Sequence, residues 1–170
     1  STLLLKHERL SLPLLSKSRT RVDMMAQLAS ALAYLHSGIN DCVVIHRDIK
    51  PENVGVSFCG GRDQVVVKLL DFGLAVAMPK ETKTNQAYRL TGATGSVRYM
   101  APECASYDYY GTPVDGFSFA LVCWEVLALR GRPFGDLDVR SHMKRVGKGT
   151  ERPSIPIEWA RQVKLAVTSA

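Results

Sequence analysis

The 170-residue chain lacks any closely spaced pair of cysteines. Cys42, Cys59, Cys104 and Cys123 stand far apart, with no CxxC and no histidine at metal-ligand spacing. A zinc site and a disulfide framework are therefore not expected, and free thiols in a reducing compartment are. Long apolar runs are missing too. The longest, FSFALVCWEVLAL from Phe117 to Leu129, contains Glu125 and falls short of the roughly 18 residues that cross a bilayer, so it reads as a buried core helix. The opening STLLLKHERL runs three leucines straight into charge, too short for a secretory segment. No membrane partner is expected, and the location is read as cytoplasmic, or more broadly intracellular with the nucleus included. The formal net charge is +6, yet nowhere do five or six like charges stand together. Such scattered cations suit a solvated surface, and no nucleic-acid partner is expected. Internal repeats and low-complexity tracts are absent.

What is present is a core. A hydrophobic fraction of 46% with ordinary Gly and Pro content suits one packed domain. Val22, Met25, Leu28, Ala29, Leu32 and Leu35 recur at helical spacing, with Ser18 or Thr20 ahead as cap candidates and Gly38 beyond as a stop. Val54 to Phe58 and Val65 to Leu70 are strand-like runs joined by CGGRDQ, whose Gly60-Gly61 pair marks a hairpin turn. From Asp71 to about Pro113 periodicity fades, and no element longer than a turn is expected there. Loops of that length are usually functional or disordered. A buried helix starts near Val114, a short one lies near Val139 to Val146, and an amphipathic piece spans Ile157 to Val167. GKGT at 147 to 150 lacks the GxxxxGK[ST] pattern and a preceding strand, so it reads as a helix exit.

One stretch does not fit a bland core. In VVIHRDIKPENVGV, residues 43 to 56, two β-branched runs enclose eight mostly polar residues. Asp48, Lys50 and Asn53 converge on one point if the loop is tightly wound, and Pro51 favours such a winding. A second carboxylate, Asp71, stands at the exit of the hairpin strand in LLDFGLA, where Gly73 permits a sharp turn. Two carboxylates, an amide and an ammonium facing one cleft are what phosphoryl transfer to a hydroxyl needs: a base, oxygen ligands for Mg²⁺ and a cation for the γ-phosphate. Taken singly, Asp48 and Asp71 could be turn formers and His46 a packed histidine.

HRDIKPEN, then DFG at 71 to 73, then APE at 101 to 103, in that order, resembles the catalytic core of eukaryotic protein kinases. VDGFSFALVCWEVL looks like that family's VDVYSFGVVLWEL helix, and TGSVRYMAPE and RPSIP resemble the tyrosine-kinase-like group of Ser/Thr kinases. The resemblance implies a mainly α fold with short β ribbons (α+β), the C-terminal lobe, with residues 1–170 running from after the hinge to late in that lobe and an activation segment at 71–103. It implies ATP and Mg²⁺ as cofactors and a protein substrate. Asp48 would be the base, Lys50 the γ-phosphate partner, Asn53 and Asp71 the metal ligands, and Ser96 would bond both Asp48 and Lys50. Arg47 would receive a phosphorylated activation loop, His46 and Phe72 would join a packed column, and Asp115 would accept from the backbone of the HRD loop. Phe72 and Trp124 are expected in the core. Thr82, Thr84, Tyr88, Thr91 and Thr94 are candidate phosphorylation sites. Lys50 in HRDIKPEN is the Ser/Thr form, where tyrosine kinases carry HRDLAARN or similar.

The likeness also has gaps. No GxGxxG, no VAIK lysine and no helix with a partner glutamate occur in the sequence. The small lobe of the parent chain is thus expected to be missing, and these residues alone to be weak or inactive. The arginine that would pair with Glu103 is also missing, leaving a buried unpaired carboxylate. Gly55 stands where the family places a bulky residue under the adenine ring, a loss worth about 1.5–3 kcal/mol if fully buried. A non-catalytic kinase-like interaction module stays open beside the enzyme. Small-molecule kinases share the base-and-metal logic, but not the APE segment or the peptide-site serine.

Overall fold

The computed structural model describes residues 18–59, 64–80, 87–128, 131–135, 137–148 and 151–154. Helix α1, Ser18–Ala33, is built from good helix formers and runs into a π-helical turn, Tyr34–Gly38. Its buried stripe is Met24, Leu28 and Leu32 with Met25 beside them. Val22, which the spacing assigned to that stripe, is 55% exposed, because Met24 one turn ahead of Leu28 takes the inward position. Strand β1, Cys42–Ile45, follows, and the polar octet contains a 3-10 turn, Pro51–Asn53, with proline at its first position.

Strands β2, Val54–Cys59, and β3, Gln64–Leu69, pair antiparallel with Val54 opposite Leu69. Their connecting turn, with Gly60 and Gly61, lies outside the described residues, as do Thr82, Thr84 and the piece from Ile157 to Val167. Gln27 docks α1 on this hairpin. Its Nε2 donates to the Val65 carbonyl and its Oε1 accepts the Val67 N–H, both at 2.9 Å, satisfying an edge that would otherwise be open. The segment after Asp71 is not without elements. Strand β4, Val76–Pro79, pairs antiparallel with β1, a 3-10 turn spans Val97–Tyr99, and α2 is the single turn Pro102–Ala105. Four-residue strands are too short to show periodicity, which is why they escape a reading of the sequence.

Helix α3, Pro113–Ala128, is the centre. Leu121, Val122 and Val126 meet α1 and the hairpin in one core cluster, while Val114 meets Ile45, Met100, Cys104 and Tyr110 in a second. A short helix, α4, Val139–Arg145, is N-capped by Asp138, whose Oδ1 accepts the Ser141 N–H at 2.8 Å. Trp124 is half-buried rather than core, donating to the Ser154 carbonyl at 2.9 Å. The described cysteines Cys42, Cys104 and Cys123 are free, and burial pushes the Cys123 thiol up to about 11. Among the described residues no helix is long and apolar enough to cross a membrane.

Burial separates two positions on α1 that look alike by sequence. Leu28→Ala, at a fully buried site, should cost about 2–5 kcal/mol in urea unfolding. Val22→Ala should stay within about 0.5 kcal/mol; equal losses at both would contradict the packing described.

Candidate active site

The loop between β1 and β2 is held from below by one carboxylate. Asp115, fully buried in the first turn of α3, accepts the His46 N–H on Oδ2 and the Arg47 N–H on Oδ1, both at 2.8 Å. Two successive amides converge on one anion this way when the second residue turns left-handed, and Arg47 has φ 68°. Such a conformation costs roughly 1–3 kcal/mol in a non-glycine residue and persists where surrounding bonds impose it. A third donor, Nε2–H of His36 in the π turn, reaches Asp115 Oδ2 at 2.9 Å. Nothing in the sequence marked His36.

Above that clamp the polar side chains meet. Asp48 is 8% exposed, and its Oδ2 accepts from Lys50 Nζ at 2.7 Å and from Asn53 Nδ2 at 3.0 Å. Its Oδ1 accepts the Ser96 N–H at 2.8 Å, and Lys50 Nζ also donates to Ser96 Oγ at 2.8 Å. Burial would raise the Asp48 pKa, but the hydrogen bonds from Lys50 and Ser96 and the Lys50 charge outweigh it and hold the carboxyl below its ordinary value. The group is therefore an ionised carboxylate at neutral pH. Ser96 comes this close because Gly95 precedes it. With φ 97° and a would-be Cβ only 2.2 Å from the Arg47 carbonyl oxygen, position 95 admits no side chain.

Asp71 is brought up by Leu70. The Leu70 N–H donates to the Asn53 carbonyl at 2.8 Å, and Nε2–H of the buried His46 donates to the Leu70 carbonyl at 3.1 Å, so both ends of the octet grip the residue before Asp71. The left-handed residue here is Asp71 itself, φ 59°, and not Gly73. Its Oδ1 accepts the Gly73 N–H at 3.2 Å and the side chain is exposed. Phe72 stacks edge-on against His46, centroids 4.9 Å apart, yet is 47% exposed, so it is not the core aromatic expected from its type.

Both amide hydrogens of Asn53 are directed at Asp48, its carbonyl at 2.8 Å and its carboxylate, which leaves Asn53 Oδ1 as a spare acceptor. One open amide oxygen and one exposed carboxylate fit Mg²⁺, which takes few protein oxygens and completes its shell with water and phosphate. Among the described residues no three His, Cys, Asp or Glu cluster as a self-sufficient metal cage.

The other positions singled out from the sequence lie close by or in the core. Arg47 is engaged internally, Nε donating to the Leu74 carbonyl at 2.7 Å and Nη1 to the Tyr110 hydroxyl at 3.3 Å. Glu103 is half-buried rather than sealed in. Thr94 turns its hydroxyl to the Thr91 carbonyl at 2.8 Å, while Thr91 is exposed. At Gly55 a side chain would press on Leu70 Cδ1 at 3.0 Å, so Leu70 already fills part of the space an absent bulky residue leaves. Glu125, the charge inside the apolar run, accepts from the Tyr99 hydroxyl at 2.6 Å; burial and that bond push the Tyr99 pKa far up. Ser118 Oγ reaches the Tyr99 carbonyl at 2.6 Å.

Comparison with known proteins gives one consistent result. The protein kinase domain family matches residues 6–164. "Serine/threonine-protein kinase VIK" of Arabidopsis thaliana is 38% identical over 136 residues, 79% of this chain and 29% of that protein. "Putative mitogen-activated protein kinase kinase kinase 7-like" of Drosophila melanogaster is 35% identical over 131 residues, 75% of this chain and 30% of that protein. "Ephrin type-A receptor 6" of Mus musculus is 29% identical over 133 residues, 78% of this chain and 12% of that protein. The chain thus spans less than a third of the length of these relatives.

Removing the Asp115 carboxylate strands buried amides. Asp115→Ala should destabilise by on the order of 3 kcal/mol in urea unfolding and strip hydrogen-exchange protection from the His46 and Arg47 amides. The Asp48 carboxyl, depressed in the folded state, stabilises fully above the unfolded carboxylate pKa, and that contribution is lost as pH falls through the folded one. The stability gap between wild type and Asp48→Asn should accordingly stay flat from about pH 7 to 5 and shrink below about pH 4.

Proposed function

Since the chain belongs to the protein kinase domain family, we propose that it is part of a Ser/Thr kinase domain whose parent transfers the γ-phosphate of ATP to protein hydroxyls. Residues 1–170 make up the portion from after the hinge to late in the C-terminal lobe, with the activation segment at 71–103. The supporting observation is the four-way contact of Asp48, Lys50, Asn53 and Ser96. Mg²⁺-ATP, when bound, supplies the transferable phosphoryl group and the cation that offsets its charge. Asn53 through Oδ1 and Asp71 through its exposed carboxylate hold the metal. Asp48 orients the acceptor hydroxyl and takes its proton; Oδ1 carries a single internal donor and keeps a lone pair for it. A carboxylate of lowered pKa is a weak base, so its larger contribution is alignment of the hydroxyl. Lys50, already between Asp48 and Ser96, keeps Asp48 ionised and places a positive charge where the phosphoryl oxygens arrive.

The Ser/Thr assignment rests on Lys50 and Ser96 and on relatives that bear that name. A second reading, a binding module without catalysis, is favoured by Gly55 and by the lack of small-lobe motifs in these residues. The phosphate-covering Gly-rich loop and lysine strand are not in these residues and, in the enzymatic reading, belong to the small lobe of the parent.

One experiment separates the readings. With a kinase small lobe joined ahead of it, the chain should transfer ³²P from ATP to a generic protein substrate, and Asp48→Asn should lower kcat about 10²–10⁴-fold. Mg²⁺-ATP should raise the unfolding midpoint of both versions. Equal transfer by both removes Asp48 as base, while no transfer and no thermal shift leaves the binding module.

A further inference from the structure

The groove beside Asp48 has a charge pattern that the phosphotransfer chemistry does not use. It is a cavity of about 670 Å³, with Lys50 and Ser96 at one end. Its other walls come from the turn after Ser96, the chain after α3, and α4. The Lys50 charge is already matched by Asp48 at 2.7 Å. Two guanidiniums, Arg98 and Arg132, also line the cavity, and among the described residues neither has a carboxylate within ion-pair distance. Arg98 Nη1 donates to the Pro133 and Gly135 carbonyls at 2.9 and 2.7 Å, neutral acceptors that fix the side chain without cancelling its charge. Among the described residues Glu52 is the single lining acid and offsets one of the two.

A second observation comes from α4. His142 lines the same cavity, is 2% exposed, and has no hydrogen-bond partner for Nε2 among the described residues. Buried polar atoms are nearly always paired, so this open valence, sealed behind the wall with the ring edge-on to Phe134 at 4.9 Å, adds a polar group that a small shift of the wall would offer to a ligand already held by the arginines. Burial, then the nearby Arg98 charge, holds its pKa below the ordinary value and leaves the groove one unpaired nitrogen rather than a further cation. Beside it stand apolar surfaces, half-buried Leu137 and exposed Val139.

From the Arg98, Arg132 and His142 wall we infer that the groove selects peptide substrates carrying carboxylate side chains near the acceptor hydroxyl. The inference rests on the kinase reading for the placing of that hydroxyl at Asp48. A basic side chain would find Glu52 but meet two guanidiniums; an acidic one neutralises the surplus.

The test uses dye-labelled peptides that share one serine and carry Glu, Gln or Lys on both sides of it, titrated into the full chain by fluorescence anisotropy. The Glu peptide should bind roughly fivefold tighter than the Gln peptide, the scale of one partly exposed ion pair, with Lys weakest. Arg132→Glu, at an exposed position that leaves the core alone, should bring Glu and Gln together and favour Lys. Equal binding of the three, a Lys preference in the wild type, an order untouched by Arg132→Glu, or no saturable binding by a chain that circular dichroism shows folded would each overturn the inference. A chain that binds in the order Glu, Gln, Lys yet transfers no phosphate when joined to a small lobe sinks the enzymatic reading alone, and one that phosphorylates all three alike sinks the selectivity alone.

Discussion

The arrangement depends on Asp115. A carboxylate with no solvent contact has to be satisfied by donors, and here they are the amides of His46 and Arg47 and the ring of His36. A buried ion that loses its partners costs several kcal/mol, so the loop cannot easily leave the conformation in which those amides point inward. Arg47 accepts its left-handed backbone for this reason. With Arg47 so turned, its carbonyl meets Gly95 and Asp48 meets the Ser96 amide.

Helix α3 extends the same device along its length. Its buried face is apolar except at Asp115, Ser118 and Glu125, and each of the three binds a loop, Asp115 also taking His36 of the π-helical turn. Asp115 grips the octet, while Ser118 and Glu125 grip the carbonyl and hydroxyl of Tyr99. The two loops that meet at Lys50 and Ser96 are thus mounted on one rigid rod, at anchors from about one to about three turns apart. Chemistry that needs side chains within a fraction of an ångström of each other is better served by such a mount than by the loops themselves.

Much of this was legible beforehand, and the limits have physical causes. The helices and the hairpin announced themselves because long periodic runs carry a strong signal; the polar octet stood out because its residues were costly to bury without a use. Val22 was misassigned because helical spacing alone admits two overlapping stripes, and only the neighbouring elements choose between them. Phe72 was expected inside on residue type, but it is attached to an exit turn with one partner, His46. Strand β4 is too short to show a period. His36, Gly95, Arg98 and His142 went unnoticed because their roles exist only through contacts distant in sequence, such as the 79 residues between His36 and Asp115.

Those separations order the assembly in time. The β2–β3 pairing joins neighbours in the chain, whereas His46 to Asp115 spans 69 residues and Asp48 to Ser96 spans 48. Closing the longer loops sacrifices more chain freedom before any contact compensates, so the ribbon zips early and the site condenses last. The reverse holds for breathing: once the first turn of α3 frays, the octet, the serine turn and the Asp71 bend lose register together. Order in the octet is therefore tied to one helical turn, and nascent chains that end before residue 115 carry every side chain of the octet without the carboxylate that sets its geometry.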